Sequence, residues 1–318
     1  MNFDVRARTI LYARHGSHAY GLNTPTSDED FKGICIKPRD YYTGFLFNFE
    51  QQEHMGSKSD GVDSVIYSID KFARLAADCN PNIIEILFCD DSDILKIDEF
   101  GEELRSMRKL FLSQKAKHTF SGYAVSQVKR LKTHRGYLMN PPDHVPTREE
   151  FGLSEEHKLS SSDIGIVSKL YSNEAAMLSA GLHRDIVATF SREMAYHAAK
   201  KRYDQFEEHK KSRNPARYVL EEKFGMDTKH AMHCVRLMKM CKEILETGEV
   251  IVKRPDRDEL LGIRNGSMNY DDLIEYVACL EAECDAAYNN SKLPKEPDRV
   301  KLHYMIADLT ERYLRKHG

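Results

Sequence analysis

Residues 16–34 read GSHAYGLNTPTSDEDFKGI and contain the most informative pattern in the chain. A β-rich run, Thr9 to Ala13, precedes this stretch, and apolar residues alternate from Asp30 to Ile36 at its end. Both runs are typical of strands. Gly16 and Ser17, placed directly after a strand, allow the backbone to approach an anion closely, so that amide groups and the hydroxyl can hold phosphate oxygens. The pattern therefore predicts an anion-binding turn between two strands.

Two carboxylates lie near the end of the same stretch. Asp28 and Asp30 are two residues apart on the predicted strand, and side chains at this spacing project from one face. Adjacent carboxylates repel each other, and a divalent cation removes that penalty. Carboxylate oxygens, phosphate and water are the ligands that Mg²⁺ prefers. The structural alternative is a Ser- and Asp-rich turn that precedes an ordinary strand.

The order and spacing of these residues resemble the active-site signature of the DNA polymerase beta nucleotidyltransferase superfamily, in which Asp-x-Asp follows Gly-Ser by roughly ten residues. The resemblance implies that Gly16 and Ser17 hold the β- and γ-phosphates of a nucleoside triphosphate and that Asp28 and Asp30 bind metal. It also implies two Mg²⁺ ions, for which Mn²⁺ can substitute. One ion lowers the pKa of the attacking hydroxyl, and the other binds the triphosphate and the departing pyrophosphate.

Members of this superfamily carry a third carboxylate on a neighbouring strand. We predict that it is Asp63, because residues 63–69 (DSVIYSI) alternate as a strand does and Asp63 opens its polar end. Asp63 would then help to activate an acceptor hydroxyl. Asp60 and Asp70 are alternative candidates for the third carboxylate. The structural alternative for Asp63 is a solvated aspartate at the entry to a strand, without a role in metal binding.

Four further segments are similar to one family within the superfamily, the RNA-repair-pathway DNA polymerase beta family of bacteria and phages. They are residues 67–88, 140–153, 227–240 and 254–266. The resemblance implies transfer of a nucleoside monophosphate from a nucleoside triphosphate such as ATP to an acceptor hydroxyl, with an RNA end as the expected acceptor. Some members are associated with RNA ligases, so a ligase of the same pathway is a candidate partner.

The sequence is also consistent with two other functions. One is nucleotidylation of a protein partner, as in toxin-like members of the superfamily. The other is a catalytically silent module that binds nucleotide or RNA.

The chain has 318 residues, a length that favours two domains or one large composite domain. The pattern predicts an α+β fold: a nucleotidyltransferase domain with a mixed β-sheet and helices over residues 1–112, and a mainly helical domain over residues 113–318. Residues 137–163 are predicted to be rich in loops. The helix that begins near Ser113 is expected to stop at Gly136, because glycine readily forms a left-handed cap.

Composition narrows the class of protein. The net charge is −3, from 47 Lys and Arg against 50 Asp and Glu, so an anionic partner must bind to a local patch. Mean hydropathy is −0.58, and no run of apolar residues is long enough to span a membrane. The seven cysteines form no C-x-x-C pair and are expected to be reduced. We therefore expect a cytoplasmic protein without a membrane partner.

A basic helical face is the remaining candidate site. Lys229, His233 and Arg236 follow at i, i+4 and i+7 and share one side of a predicted helix. They are candidate nucleotide-binding residues, directed at the triphosphate or at an RNA backbone, and a solvated basic stripe is the structural alternative. Arg254, Arg257 and Arg264 are expected either to bind phosphate or to pair with Glu259 and nearby acids.

Overall fold

The structure is a computed structural model, and it describes residues 3–56, 62–156, 158–212 and 215–317. Five strands form one mixed sheet: β1 Thr9–His15, β2 Glu29–Cys35, β3 Gln51–His54, β4 Val62–Ser68 and β5 Ile94–Ile97. Their order across the sheet is β3-β4-β2-β1-β5. β2 and β4 are parallel, whereas the other neighbouring strands are antiparallel.

Helices dominate the rest of the described chain. In chain order they are α1 Gly16–Ala19, α2 Asp40–Thr43, α3 Ile69–Ala77, α4 Pro81–Phe88, α5 Glu99–Ser106, α6 Gly122–Met139, α7 Ser161–Leu170, α8 Glu174–Ser179, α9 Arg184–Ser212, α10 Pro215–Phe224, α11 Thr228–Thr247, α12 Arg257–Arg264, α13 Tyr270–Asn290 and α14 Arg299–His317. The predicted fold class is confirmed: a mixed sheet with helices occupies the N-terminal part, and the C-terminal part is mostly helical.

Local sequence signals set the limits of the two helices that border the site. α4 begins with Pro81, and the missing amide hydrogen of proline costs nothing there, because amides of the first turn have no partner within the helix. The Asn80 side chain caps the helix by accepting a hydrogen bond from the Asn82 amide at 3.1 Å. α11 begins after Asp227, whose carboxylate accepts from the His230 amide at 3.0 Å. α11 ends at Gly248, which has a φ of +69°.

The chain divides into two compact units. The first consists of Met1–Leu131 and Asp227–Gly318, and the second of Lys132–Met226. The first unit contains the sheet and a core of apolar side chains such as Ile10, Ile34 and Phe72, all fully buried. This division follows contacts in space; the predicted boundary between residues 112 and 113 stays a prediction.

The predicted end of the long helix at Gly136 is wrong. The chain makes one π-helical turn over Lys117–Ser121, and α6 then continues through Gly136 to Met139. A Cβ added at Gly136 would meet nothing within 4 Å, so neither conformation nor packing requires glycine there. Among the described residues after Met139, a single 3-10 turn at Glu149–Phe151 interrupts the loop before α7. None of the helices in the described ranges has the length and apolar character needed to cross a bilayer.

Candidate active site

The structure brings two of the predicted carboxylates together on neighbouring strands. Asp30 on β2 is paired in register with Asp63 on β4, and paired residues of a parallel ladder project from the same face. Asp63, Val65 and Tyr67 form the partly exposed side of β4, whereas the residues between them are buried. Asp28 lies two residues before Asp30, just ahead of β2, and is exposed. The three acids therefore lie at one end of the sheet.

The alternatives for the third carboxylate differ in position. Asp70 lies in α3, beyond the opposite end of β4, where its carboxylate is 3.1 Å from the Lys37 ammonium. Asp60 lies outside the described residues. Asp63 also has a local partner, because one of its carboxylate oxygens accepts a hydrogen bond from the Gly56 amide at 2.8 Å. Of the candidates for the third carboxylate, Asp63 is the one that the strand register places beside Asp30.

Electrostatics at Asp30 fit a site for a cation. Burial raises the pKa of the Asp30 carboxyl, and the negative charges of Asp63 and Asp28 raise it further. The positive charges of Lys32 and Lys229 oppose this rise without cancelling it. Oxygen donors with excess negative charge are what Mg²⁺ or Mn²⁺ requires. Within the described ranges, no three His, Cys, Asp or Glu side chains already form a closed metal-binding group, so an ion here would need phosphate or water as further ligands.

The glycine of the Gly-Ser pair packs directly against Asp30. Gly16 follows the last residue of β1 and has a φ of +65°. A Cβ at this position would lie 2.1 Å from a carboxylate oxygen of Asp30. Glycine is therefore required twice, for its left-handed conformation and for the space that Asp30 occupies. Ser17 follows in the short helix α1 and is half-buried.

α11 places the predicted basic face at the same site, but only part of it is positioned as expected. Lys229 lies close enough to Asp30 for its charge to lower the pKa of that carboxyl. The His233 ring meets the Tyr123 ring edge to face, with the centroids 5.6 Å apart. Arg236 is only 2% exposed. This burial does not fit the predicted contact between Arg236 and a nucleotide, because the guanidinium is directed into the protein interior.

Arg236 instead belongs to a buried polar cluster, made of His15, Tyr20, Glu85 and Arg236, which was not predicted from the sequence. We call it the Glu85 cluster. The Glu85 carboxylate, 1% exposed, accepts hydrogen bonds from the Tyr20 hydroxyl at 2.5 Å and from Arg236 Nη1 at 3.0 Å. It also lies 3.4 Å from Nε2 of His15. The Arg236 guanidinium lies over the Tyr20 ring, 3.7 Å from its centroid.

Burial and charge give the cluster a defined ionisation. Burial opposes the charged form of Glu85, but the charge of Arg236 and the hydrogen bonds from His15 and Tyr20 outweigh it and lower the pKa of Glu85 to about 2. Burial and the charge of Lys32 lower the pKa of His15 to about 4. At neutral pH the cluster thus holds an ionised carboxylate and a neutral imidazole.

Lys32 connects the cluster to the acids. It lies two residues after Asp30 on the same face of β2, and its ammonium donates to the Asn82 carbonyl at 2.6 Å and lies 3.4 Å from Nε2 of His15. Burial lowers the pKa of Lys32 to about 8, so most molecules still carry this charge at pH 7. A positive charge is therefore held between Asp30 and the buried cluster.

The three arginines that were candidates for phosphate binding near α12 all contact groups of the protein itself. Arg254 pairs with Glu243 and Asp256. Arg257 donates to the Gly21 carbonyl at 2.7 Å, and Arg264 donates to the Leu22 carbonyl at 3.2 Å. These two contacts tie α12 to the turn that follows α1. The expected pairing with Glu259 is made by Lys239 instead.

Comparisons with known proteins identify a family that matches part of the chain. Residues 3–139 match the model of the RNA repair pathway DNA polymerase beta family, which confirms the resemblance for that part of the chain. The name of that family implies a nucleotidyltransferase of the DNA polymerase beta type. The chain is also 24% identical to an uncharacterized 38.9 kDa protein of Enterobacteria phage T4, encoded in the nrdC-mobD intergenic region, with 98% of each chain covered. No solved structure matches the chain.

Proposed function

We propose that this chain, whose residues 3–139 match the RNA repair pathway DNA polymerase beta family, is a nucleotidyltransferase that uses divalent metal ions and acts on an RNA end. The observation that carries the proposal is the register of the parallel pair. Asp30 and Asp63 are direct neighbours on β2 and β4, and Gly16 packs against the Asp30 carboxylate. The Gly-Ser turn and a pair of acids therefore lie side by side, and this arrangement supports the binding of a metal-bound triphosphate.

Each residue of the site has a role in this proposal. The backbone of Gly16 and the amide and hydroxyl of Ser17 hold the β- and γ-phosphates, and Lys229 adds positive charge. Asp28, Asp30 and Asp63 would hold two Mg²⁺ ions, or Mn²⁺ in their place. Such ions lower the pKa of an attacking hydroxyl and neutralise charge on a departing pyrophosphate.

The reaction moves a nucleoside monophosphate. The acceptor oxygen forms a bond to the α-phosphorus while the bond from that phosphorus to the bridging oxygen breaks, and pyrophosphate leaves. Asp63 helps to remove the proton of the acceptor hydroxyl. The acceptor we propose is a hydroxyl at an RNA end, because the family name refers to an RNA repair pathway. An RNA ligase that uses the modified end is the proposed partner.

The test is transfer of label. The purified chain is incubated with each α-labelled nucleoside triphosphate, Mg²⁺ or Mn²⁺, and RNA with a free 3′-hydroxyl. We expect labelled RNA with wild type and at least about 100-fold less with Asp30→Asn, because a metal ligand is lost. Asp308→Asn, which changes an exposed aspartate paired with Arg312 in α14, is the matched control and should leave the labelling unchanged.

Three results would count against the proposal. Label that appears on protein in a ribonuclease-treated lysate, and not on RNA, would replace the RNA acceptor with a protein. Equal labelling by wild type and Asp30→Asn would remove the assigned site. Nucleotide binding without transfer to RNA or protein would show a silent binding module.

A further inference from the structure

The Glu85 cluster is attached to the Gly-Ser turn at both of its ends. His15 is the residue immediately before Gly16, and Tyr20 is the residue immediately after α1. The same carboxylate oxygen of Glu85, Oε2, accepts from the Tyr20 hydroxyl and faces the His15 imidazole. One buried atom of α4 therefore holds the two ends of the four-residue segment that contains Ser17.

Backbone hydrogen bonds close the segment at its C-terminal end. The Tyr20 amide donates to the Gly16 carbonyl at 3.1 Å, the Gly21 amide to the His18 carbonyl at 3.0 Å, and the Leu22 amide to the Ser17 carbonyl at 2.8 Å. Gly16 and Gly21 both have positive φ values, +65° and +68°. A helix of only four residues that begins at a glycine has little intrinsic stability. Its conformation therefore depends on contacts from outside the segment. Arg257 and Arg264 hold the carbonyls of Gly21 and Leu22, and the Glu85 cluster holds the side chains at the two ends of the segment.

Arg236 makes the hold on Tyr20 possible. A carboxylate that is as deeply buried as Glu85 requires a partner of opposite charge, and Arg236 of α11 supplies it at 3.0 Å. The same guanidinium covers the face of the Tyr20 ring. Tyr20 is thus fixed at its hydroxyl by Glu85 and across its ring by Arg236.

We propose that Glu85 and Arg236 are positioning residues, which hold the segment Gly16–Ala19 in the conformation that receives the triphosphate of the nucleotide. This inference rests on the proposed function for the identity of the ligand. Neither side chain contacts the nucleotide. They act through Tyr20 and His15, which hold the two ends of the segment whose Gly16 lies beside Asp30.

Tyr20→Phe is the most selective test, because it removes one hydroxyl and keeps the ring that Arg236 covers. Glu85→Gln is the second variant, since it keeps the size of the side chain and an acceptor oxygen. Glu193→Gln is the matched control. It changes another buried carboxylate that pairs with an arginine, Arg148, within the second unit. Two quantities are measured for each: amide hydrogen exchange of residues 16–22, and the Kd for ATP with Mg²⁺.

We expect the amides of Tyr20, Gly21 and Leu22 to exchange about tenfold faster in Tyr20→Phe, because the lost hydrogen bond has an ionised acceptor. Exchange in β1, β2 and β4 should stay as in wild type. The Kd for ATP should rise about tenfold in the same variant, and the KM for nucleotide should rise more than kcat falls. Glu193→Gln should change neither quantity.

Each outcome has a defined meaning. Unchanged exchange of residues 16–22 in folded Tyr20→Phe would overturn the inference, and so would faster exchange with an unchanged Kd. If Glu85→Gln fails to fold, Tyr20→Phe alone decides. If wild-type protein binds no nucleoside triphosphate at all, the proposed function is refuted instead, and faster exchange in Tyr20→Phe would still support the hold on the segment.

Discussion

Replacing Arg236 with methionine tests the energetics of the site most directly. The variant replaces the guanidinium with a shorter, apolar and unbranched side chain, and it leaves the Glu85 carboxylate in the interior without the cation 3.0 Å away. In the wild-type protein the partners of Glu85 hold its pKa at about 2, against a usual value of 4.5. This difference corresponds to about 3 kcal/mol in favour of the charged form. Removal of one partner from a buried ion pair costs about 3–5 kcal/mol, and we expect a loss of this size at pH 7.5.

The loss should depend on pH with a defined sign. In wild type the lowered pKa of Glu85 stabilises the fold fully above pH 4.5, and this contribution is lost as the pH falls towards about 2. In Arg236→Met the effect of burial dominates, so the pKa of Glu85 rises above its unfolded value. The folded variant then takes up a proton more readily than the unfolded chain. Its deficit relative to wild type should shrink as the pH falls from 7.5 to 5.

Urea unfolding of wild type and variant at both pH values measures this deficit, and the comparison at each pH cancels groups that titrate in both proteins. The double variant Arg236→Met/Glu85→Gln should recover at least half of the loss, because no buried charge remains. A deficit below about 1 kcal/mol at pH 7.5, or one of equal size at pH 5, would refute this account of the cluster.

Further predictions concern the acids, the glycines and the basic helix. Gly16→Ala should destabilise the fold by about 2–4 kcal/mol and Gly21→Ala by about 1 kcal/mol. The reason is that a Cβ at position 16 collides with Asp30, whereas one at position 21 meets nothing within 4 Å. Equal losses of stability in thermal unfolding would argue against the collision. Asp30→Asn should raise the unfolding free energy of the metal-free protein by roughly 0.5 kcal/mol, because it relieves like-charge repulsion at a half-exposed site. It should also abolish any rise in Tm caused by Mg²⁺, and a Mg²⁺-dependent rise that survives would place the metal elsewhere. Lys229→Met should weaken ATP binding by about tenfold. The control is Lys242→Met, which changes a lysine of α11 paired with Glu283 and should leave ATP binding unchanged. Equal Kd values for the two variants would exclude a contact between Lys229 and phosphate. Gly136→Ala should stabilise the protein by about 0.5–1 kcal/mol because the position is inside α6, and a loss of stability would restore the predicted cap.

The sequence predicted well those features that depend on neighbouring residues. The alternation over residues 30–36 and 63–69 corresponds to β2 and β4, which span Glu29–Cys35 and Val62–Ser68. Such alternation reflects which side chains of a strand are buried, and it can be recognised within a few residues. The contact of Gly16 with Asp30 is less local, because it arises from the pairing of β1 with β2.

Features that depend on distant partners could not be predicted in the same way. The spacing of Lys229, His233 and Arg236 placed them on one helical face, but it could not show that Arg236 faces a carboxylate 151 positions away in sequence. Glu85 did carry a signal, since it is the one acid in the apolar run PNIIEILF, and a charge there requires a buried partner. Gly136 shows the reverse case: a residue suited to a cap lies inside a helix, because helix continuation there costs only about 1 kcal/mol.

The order in which the ribosome makes the chain bears on the first compact unit. Its two parts, Met1–Leu131 and Asp227–Gly318, are separated by the whole of Lys132–Met226. Glu85 therefore emerges long before Arg236 does, and a nascent chain that folded its sheet early would bury an unneutralised carboxylate. The ion pair between Glu85 and Arg236 can therefore form only after α11 has been translated, and a fragment that ends at residue 139, where the family match ends, lacks the arginine that the carboxylate requires.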